Sequence, residues 1–436
     1  MTEIDTGRTV TYAELNALAD AAAGRLRTRG VASGSVVEVR LANSIDFAVA
    51  LLAVARTGAA AALIGPSLLD AEASRLSALA GTTHRVEPAD LVPGSAQAWT
   101  ASDPDVVAVI PFSSGTTGMP KGVELTHRSI TANAAQFNAA LAASSIGEGT
   151  RVAAPLPFSH IYGLNTLLLS SLAAGRHVFT AARFNLAEFA RAHRDHAIEL
   201  SYIAPPIALS LANSPNVDPA DFASTAHMVC GAAPLSESLA RRVEDRLGVV
   251  MLQGYGTTES SPVTHVGIAG RTNPGTIGAA LPNTQFRVVD LDTGTEVPDG
   301  QPGELQVRGP QVMRGYLRDP GATRAAITDG WLRTGDIVAV DDGSVDDSAM
   351  AIHRAGAHLV RHPVNLGQGA AIQTGQRIGS AIGAALLMTV YQLVELSAPT
   401  SRALQAALLT ARSDGQFIDD KTLDRSEERR VGKECR

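Results

Sequence analysis

The apolar positions of the chain switch repeatedly between two periods. Leu15, Leu18, Ala22 and Leu26 recur at helical spacing behind Thr11, whose pairing with Glu14 is a capping-box signature, and Gly30 marks the stop. Residues 35–41 then read as a short strand, residues 47–57 as an apolar helix ended by Gly58, and residues 60–64 as the next strand. The run 105–112 is almost wholly apolar, as a strand buried on both faces requires. Thr126 opens another helix. Helical stretches near 185–193 and 235–247 interleave with strands near 200–203 and 249–253. This alternation predicts α/β layers on a mainly parallel sheet.

The texture changes over about 271–336, where from Gly275 onward Gly, Pro and Asp punctuate short alternating strands at 286–289, 303–308 and 315–317. A small β-rich subdomain is expected there. The 436 residues allow about three domains or subdomains, and 45% hydrophobic content supplies large cores. A net charge of −7 with both signs mixed gives no footprint for nucleic acid. Only Cys230 and Cys435 occur, so a disulfide scaffold is excluded and a reducing compartment fits. The polar first eight residues lack the apolar core of a signal peptide. The expectation is a soluble cytoplasmic protein.

Candidate chemistry sits where strands end. The buried run 105–112 leads into Ser113, Ser114, Gly115, Thr116, Thr117, Gly118, Met119, Pro120, Lys121 and Gly122. Gly115, Gly118 and Gly122 let backbone N–H groups approach phosphate oxygens, the hydroxyls add donors, and Lys121 adds a mobile point charge. Pro120 before the lysine sets this run apart from the usual P-loop. A flexible linker is the competing reading, but the flanking strand and the helix from Thr126 argue against it.

A second run, Gln253-Gly254-Tyr255-Gly256-Thr257-Thr258-Glu259, also follows an apolar strand. Tyr255 can lie against a base, Thr258 can meet a phosphate, and Glu259 can hold Mg²⁺; an ordinary turn with a solvated Glu is the alternative. In Trp331-Leu-Arg-Thr-Gly-Asp336 the aspartate can accept ribose hydroxyls or simply close a turn. His160 and Tyr162 stand in a loop and either line an acid's pocket or pack in the core. The small residues Gly231, Ala232 and Ala233 leave room for a flat ring. Cys230 reads as a small buried residue rather than a nucleophile.

With these motifs in this order, the chain from about Thr9 to Asp336 resembles the acyl-adenylate-forming superfamily, and within it 4-coumarate:CoA ligase-like and fatty-acyl-CoA ligases. Phe158-Ser-His160-Ile-Tyr162, Gly231-Ala-Ala-Pro234 and Gly303-Glu-Leu-Gln-Val-Arg308 through Gly315-Tyr-Leu317 add to the likeness. The resemblance implies an α/β fold: a large N-terminal domain of two α/β subdomains plus a β-barrel-like one. It implies that an aryl or fatty acid attacks ATP to give acyl-AMP, after which coenzyme A takes the acyl group. The run from Ser113 to Gly122 would grip phosphates. Gly231, Ala232, Ala233, Gln253, Gly254, Tyr255 and Gly256 would frame the nucleotide, Thr258 the α-phosphate, Glu259 the Mg²⁺ and Asp336 the ribose. His160, Tyr162, Gly254 and Val263 would border the acyl pocket, and Lys121, Thr258, Glu259 and His160 would be the catalytic set.

The ligase core is expected over 1–340. After Asp341 the pattern departs from the family: no Gly-Arg hinge or lid with its catalytic lysine follows, and Gly432-Lys433 lacks that context. Residues 341–375 resemble a fragment of an inverting glycosyltransferase. Residues 376–424 hold an apolar stretch, 378–394, similar to one helix of a major-facilitator transporter and just short of the ~20 residues that span a bilayer. Membrane contact would come only from that stretch, which reads equally as a soluble helix. Residues 425–436 resemble translated sequencing adapter. An assembly chimera is therefore expected, with acid and ATP bound but turnover, thioester formation first, impaired. The alternative is a lid-less module that holds adenylate without turnover.

Overall fold

In the computed structural model, residues 1–95, 99, 103–113 and 120–341 are described, together with the backbone of the strand His358–Arg361. They all fall within a unit spanning Met1–Leu393. The runs assigned to the tail, including 378–394 and 425–436, lie outside the described residues, as do Ser114 to Gly118 of the glycine-rich loop. No helix among the described residues is long and apolar enough to cross a membrane.

Local signals place most helices. Thr11 caps the helix Tyr12–Thr28 with the reciprocal Glu14 bonds of a capping box. The helix Ile45–Thr57 begins behind Ser44 and ends at Gly58 in the left-handed conformation. Thr126, Asn185 and Ser236 cap the helices His127–Ala142, Leu186–Asp195 and Glu237–Leu247, each side chain accepting from the backbone N–H three residues on.

Two large sheets and one smaller sheet result. In the eight-stranded sheet Leu200–Ile203, His227–Cys230 and Val250–Gly256 run parallel side by side, and Val263–Val266 turns back antiparallel on the last. The second sheet has Ala60–Leu63 parallel to both Val36–Val39 and Val107–Ile110. The third joins Gln285–Val289, Gly303–Arg308, Trp331–Asp341 and Ile327–Thr328, all antiparallel, with the backbone of His358–Arg361 added parallel to Val338–Asp341.

One expectation is corrected, and one strand was not foreseen. The helix expected from Thr126 is present, with Thr126 as its cap, but a strand precedes it. Lys121–Thr126 is a strand that pairs antiparallel with Phe112–Ser113, as the second arm of a hairpin, and with Val107–Ile110. The cause is a short alternation in which Val123 and Leu125 are buried while Lys121, Glu124 and Thr126 are less so. Gly315–Tyr316 does not join the β-rich subdomain. It pairs with Val123 and Glu124 of the second sheet, and Leu317 N–H donates to the Gly122 carbonyl.

Candidate active site

The strand Val250–Gly256 carries the second motif to the end of the parallel sheet. A register shift between Tyr255 and Gly256 breaks the ladder with Val263–Val266 and turns Tyr255 into a cleft. Gly256 is required at that break, because a Cβ there would collide with the Pro262 carbonyl oxygen. Asn133 pins the returning strand, donating to Val263 O at 2.6 Å and accepting from Val263 N–H at 3.2 Å. The cleft has an empty volume of about 510 Å³ including its solvent mouth, and His160, Tyr162, Gly231, Ala232, Gly254, Tyr255, Gly256, Thr258 and Val263 are among its lining residues. Ala232 is left-handed (φ 72), a strained state that sets the Gly231–Ala232 backbone along the wall.

Tyr255 donates its hydroxyl to Asp336 Oδ2 at 2.5 Å. The aspartate is held in turn: Gly335 is left-handed (φ 75), Asp336 N–H donates to Thr334 Oγ1 at 3.1 Å, and Thr334 Oγ1–H donates to Leu305 O at 2.6 Å. Glu304, buried at 4% exposure, accepts from Gly335 N–H at 3.2 Å and pairs with Arg333 at 3.0 Å. Burial raises the Asp336 carboxyl above its ordinary value, and the charges of Glu259 and Glu304 push the same way against the Tyr255 bond. Burial and the Asp336 charge drive the Tyr255 phenol far up, so it stays a donor.

Glu259 follows Thr258 on a single tight turn, Thr258–Ser260. Both side chains are buried. Tyr316 donates to Glu259 Oε1 at 2.9 Å, and the Glu259 carbonyl accepts from Met313 N–H at 2.7 Å. Lys121 Nζ stands 4.9 Å from the centre of the Tyr316 ring. Burial and the Glu259 charge raise the Tyr316 phenol.

At the opposite end the chain winds into a wide π-helical stretch, Tyr162–Leu169, in place of the expected loop. His160 Nδ1 accepts from Tyr162 N–H at 3.2 Å, and burial lowers the imidazole to about 4, so it is neutral at pH 7. The Tyr162 hydroxyl reaches the Val229 carbonyl at 3.1 Å, tying this stretch to the sheet. Phe137, Thr166 and Val263 are also among the lining residues. Thr166 is 2% exposed, and its hydroxyl has no hydrogen-bond partner.

The sequence-predicted residues thus divide. Tyr255, Asp336, Thr258, Glu259, Gly231, Ala232, Gly254, Gly256, His160, Tyr162 and Val263 gather at one cleft or its immediate support. Gln253 does not face it: its amide donates to Thr276 O and accepts from Leu235 N–H. Ala233 is not among the lining residues. Ser113 is buried at the hairpin base, opposite Lys121. Sequence reasoning missed Tyr316, Glu304, Phe137 and Thr166. Thr166 had a signal, four residues beyond Tyr162 on a helical face; Tyr316 had none beyond its place in Arg314-Gly315-Tyr316.

Comparison with known proteins bears on this arrangement. The family profile described as AMP-binding enzyme matches residues 1–90 and 84–317. The 4-coumarate–CoA ligase 3 of Oryza sativa subsp. japonica is 36% identical over 389 residues, covering 80% of this chain and 70% of that protein. The inhibitor-bound N-terminal domain of FACL13 from Mycobacterium tuberculosis matches with TM-score 0.71 at 25% identity, over 78% of this chain and 92% of that one. The amide bond synthetase McbA from Marinactinospora thermotolerans matches with TM-score 0.69 at 28% identity, over 78% and 74%.

Proposed function

The chain belongs to the AMP-binding enzyme family, and on that premise we propose that it activates a carboxylic acid with ATP and passes the acyl group to the thiol of coenzyme A. A carboxylate oxygen attacks the α-phosphorus, the bond to the bridging oxygen breaks, and pyrophosphate leaves with the electron pair. The thiol then gives up its proton and attacks the acyl carbon, and AMP leaves.

The observation that carries this reading is the meeting of two unlike ends at one cleft. At one end Tyr255, Asp336, Thr258 and Glu259 offer a flat ring, a pre-oriented acceptor for ribose hydroxyls, a hydroxyl and a carboxylate. At the other, a buried pocket is led by a neutral His160. A neutral imidazole can hydrogen-bond a substrate carboxylate without trapping it as an ion pair, which keeps its oxygen nucleophilic. Among the described residues no group of three or more His, Cys, Asp or Glu offers a resident metal site. Mg²⁺ fits as a companion of the nucleotide, with Glu259 supplying one hard oxygen and the phosphates others. Lys121 adds positive charge at the hairpin base.

The unpartnered Thr166 hydroxyl, in a lining that also includes Phe137, Ile161, Val229 and Val263, favours an aromatic acid bearing a hydrogen-bonding group at its far end over a plain fatty acid. The rice relative, named for 4-coumarate, is consistent with that choice. The test is exchange of labelled pyrophosphate into ATP by the full chain, with hydroxylated aryl acids beside fatty acids, followed by detection of acyl-CoA. Acid-dependent exchange supports the reading. ATP binding with no exchange for any acid would point instead to a module that holds adenylate without turnover.

A further inference from the structure

Lys121 is the only lysine before residue 421 in a chain with 36 basic Lys and Arg residues. Among the described residues, therefore, one lysine stands among arginines. Its surroundings are specific. It begins the strand Lys121–Thr126, and two positions along that strand Val123 pairs with Tyr316. The ammonium lies 4.9 Å from the centre of the Tyr316 ring. The hydroxyl on the far side of the same ring donates to Glu259 Oε1 at 2.9 Å. One side chain thereby touches both groups assigned to the polyphosphate, from two different sheets: Lys121 on the second, Glu259 beyond the strand Val250–Gly256 of the first.

Tyr316 is itself fixed. Its backbone pairs with Val123, its N–H donates to Thr323 Oγ1 at 2.9 Å, and Thr323 Oγ1–H donates back to Asp319 O at 2.8 Å. The ring cannot follow either partner, so it acts as a fixed post between them. A compact ammonium on a flexible stem suits such a post better than a guanidinium, because it can leave the ring face for a phosphate and return. A carboxylate that accepts a phenol's hydrogen bond at one oxygen keeps a single rotamer with the other oxygen free, which is how outer partners orient a metal-binding group.

We propose that Tyr316 is a positioning residue for the polyphosphate, its hydroxyl orienting Glu259 toward the nucleotide's Mg²⁺ and its ring parking Lys121 until phosphate arrives. The inference rests on the assignment of Glu259 and Lys121 to Mg·ATP. Two substitutions separate the functions. Tyr316→Phe keeps the ring and removes the hydroxyl; Tyr316→Leu removes both.

The experiment uses the full chain and measures ATP binding by calorimetry across a Mg²⁺ series, with circular dichroism to confirm folding. Beside it, reductive methylation of Lys121 is followed by peptide mapping, which separates it from Lys421 and Lys433. In Tyr316→Phe the Mg²⁺ needed for half-maximal ATP binding should rise roughly ten- to hundredfold, with ATP affinity in the absence of Mg²⁺ unchanged and Lys121 labelling as in the parent. In Tyr316→Leu, Lys121 labelling without nucleotide should also rise, about two- to fivefold. A Tyr316→Phe protein with the parent's Mg²⁺ dependence overturns the proposal, as does an equal loss of ATP affinity with and without Mg²⁺, which marks a merely structural role. If the parent chain binds ATP with no Mg²⁺ dependence at all, the assignment of Glu259 has failed, and this inference with it.

Discussion

The two ends of the cleft are built by opposite means. At the proposed nucleotide end, charged groups from three sheets converge: Asp336 from the strand Trp331–Asp341, Glu259 beyond Val250–Gly256, and Lys121 with Tyr316 from the second sheet. Each is held by another side chain or a strained turn. At the proposed acid end, one segment supplies His160, Ile161, Tyr162 and Thr166, and its polar groups are neutral or lack a partner. Charge held in advance suits a ligand whose phosphates are always charged. A neutral wall with one unpartnered hydroxyl suits a ligand whose identity depends on shape and a single hydrogen bond.

The harshest way to break the comparison is to remove charge at the nucleotide end. Glu259→Gln should slow acid-dependent pyrophosphate exchange by roughly 10²–10³-fold, while the dissociation constant of the acid alone stays put. An equal loss of acid binding would show that the ends are not separable.

Asp336→Asn comes next. Losing a charged acceptor for ribose hydroxyls should weaken ATP binding by roughly ten- to hundredfold. The same change should raise the melting temperature. The Asp336 carboxyl is pushed up in the folded protein, so its ionised form costs stability at neutral pH, and a neutral amide removes that cost. A variant that binds ATP more weakly and melts lower would contradict the sign of the shift.

Acidification separates the ends without mutation. Asp336 is raised, so ribose recognition should begin to fail above the usual carboxylate range as pH falls. His160 is lowered to about 4 and stays neutral through the same interval. ATP affinity should therefore drop by up to about tenfold per pH unit once Asp336 protonates, while acid affinity holds. Binding titrations from pH 7 downward decide it, and Asp336→Asn should flatten the ATP curve.

The contrast also explains what the sequence made legible. The second motif was readable because Gly254, Tyr255, Gly256, Thr258 and Glu259 are contiguous and follow an apolar strand, so local chemistry and local structure coincide. Capping residues Thr11, Ser44 and Thr126 were readable for the same reason. Pairing choice was not. Gly315–Tyr316 is two residues long and carries no period of its own; its partner strand is decided by tertiary packing, and Glu259 lies 57 residues away along the chain. The strand Lys121–Thr126 was not foreseen because its alternation is short and follows glycine and proline. For Thr166 the spacing from Tyr162 was the one signal, and a threonine in an apolar helical run looks like ordinary core until its hydroxyl is seen unpaired in a residue that lines a cavity.

The gentlest change reaches the acid end alone. Thr166→Val keeps shape and volume but replaces the hydroxyl with a methyl group. In the folded protein that hydroxyl is buried and makes no bond, so its removal should leave stability unchanged or slightly higher; a buried polar group without a partner costs more than the apolar group that replaces it. Binding runs the other way for an acid whose far end carries a donor or acceptor, since one neutral hydrogen bond is worth roughly 0.5–1.5 kcal/mol, or about two- to tenfold in affinity. An acid without such a group should bind as well as before or better. The discriminating quantity is the ratio of kcat/KM between a hydroxylated aryl acid and its unhydroxylated counterpart. That ratio should fall by the same two- to tenfold, with the KM for ATP unchanged. A ratio that does not move would mean the acid's far end never reaches Thr166, and that shape alone, set by Phe137 and Val263, reads the substrate.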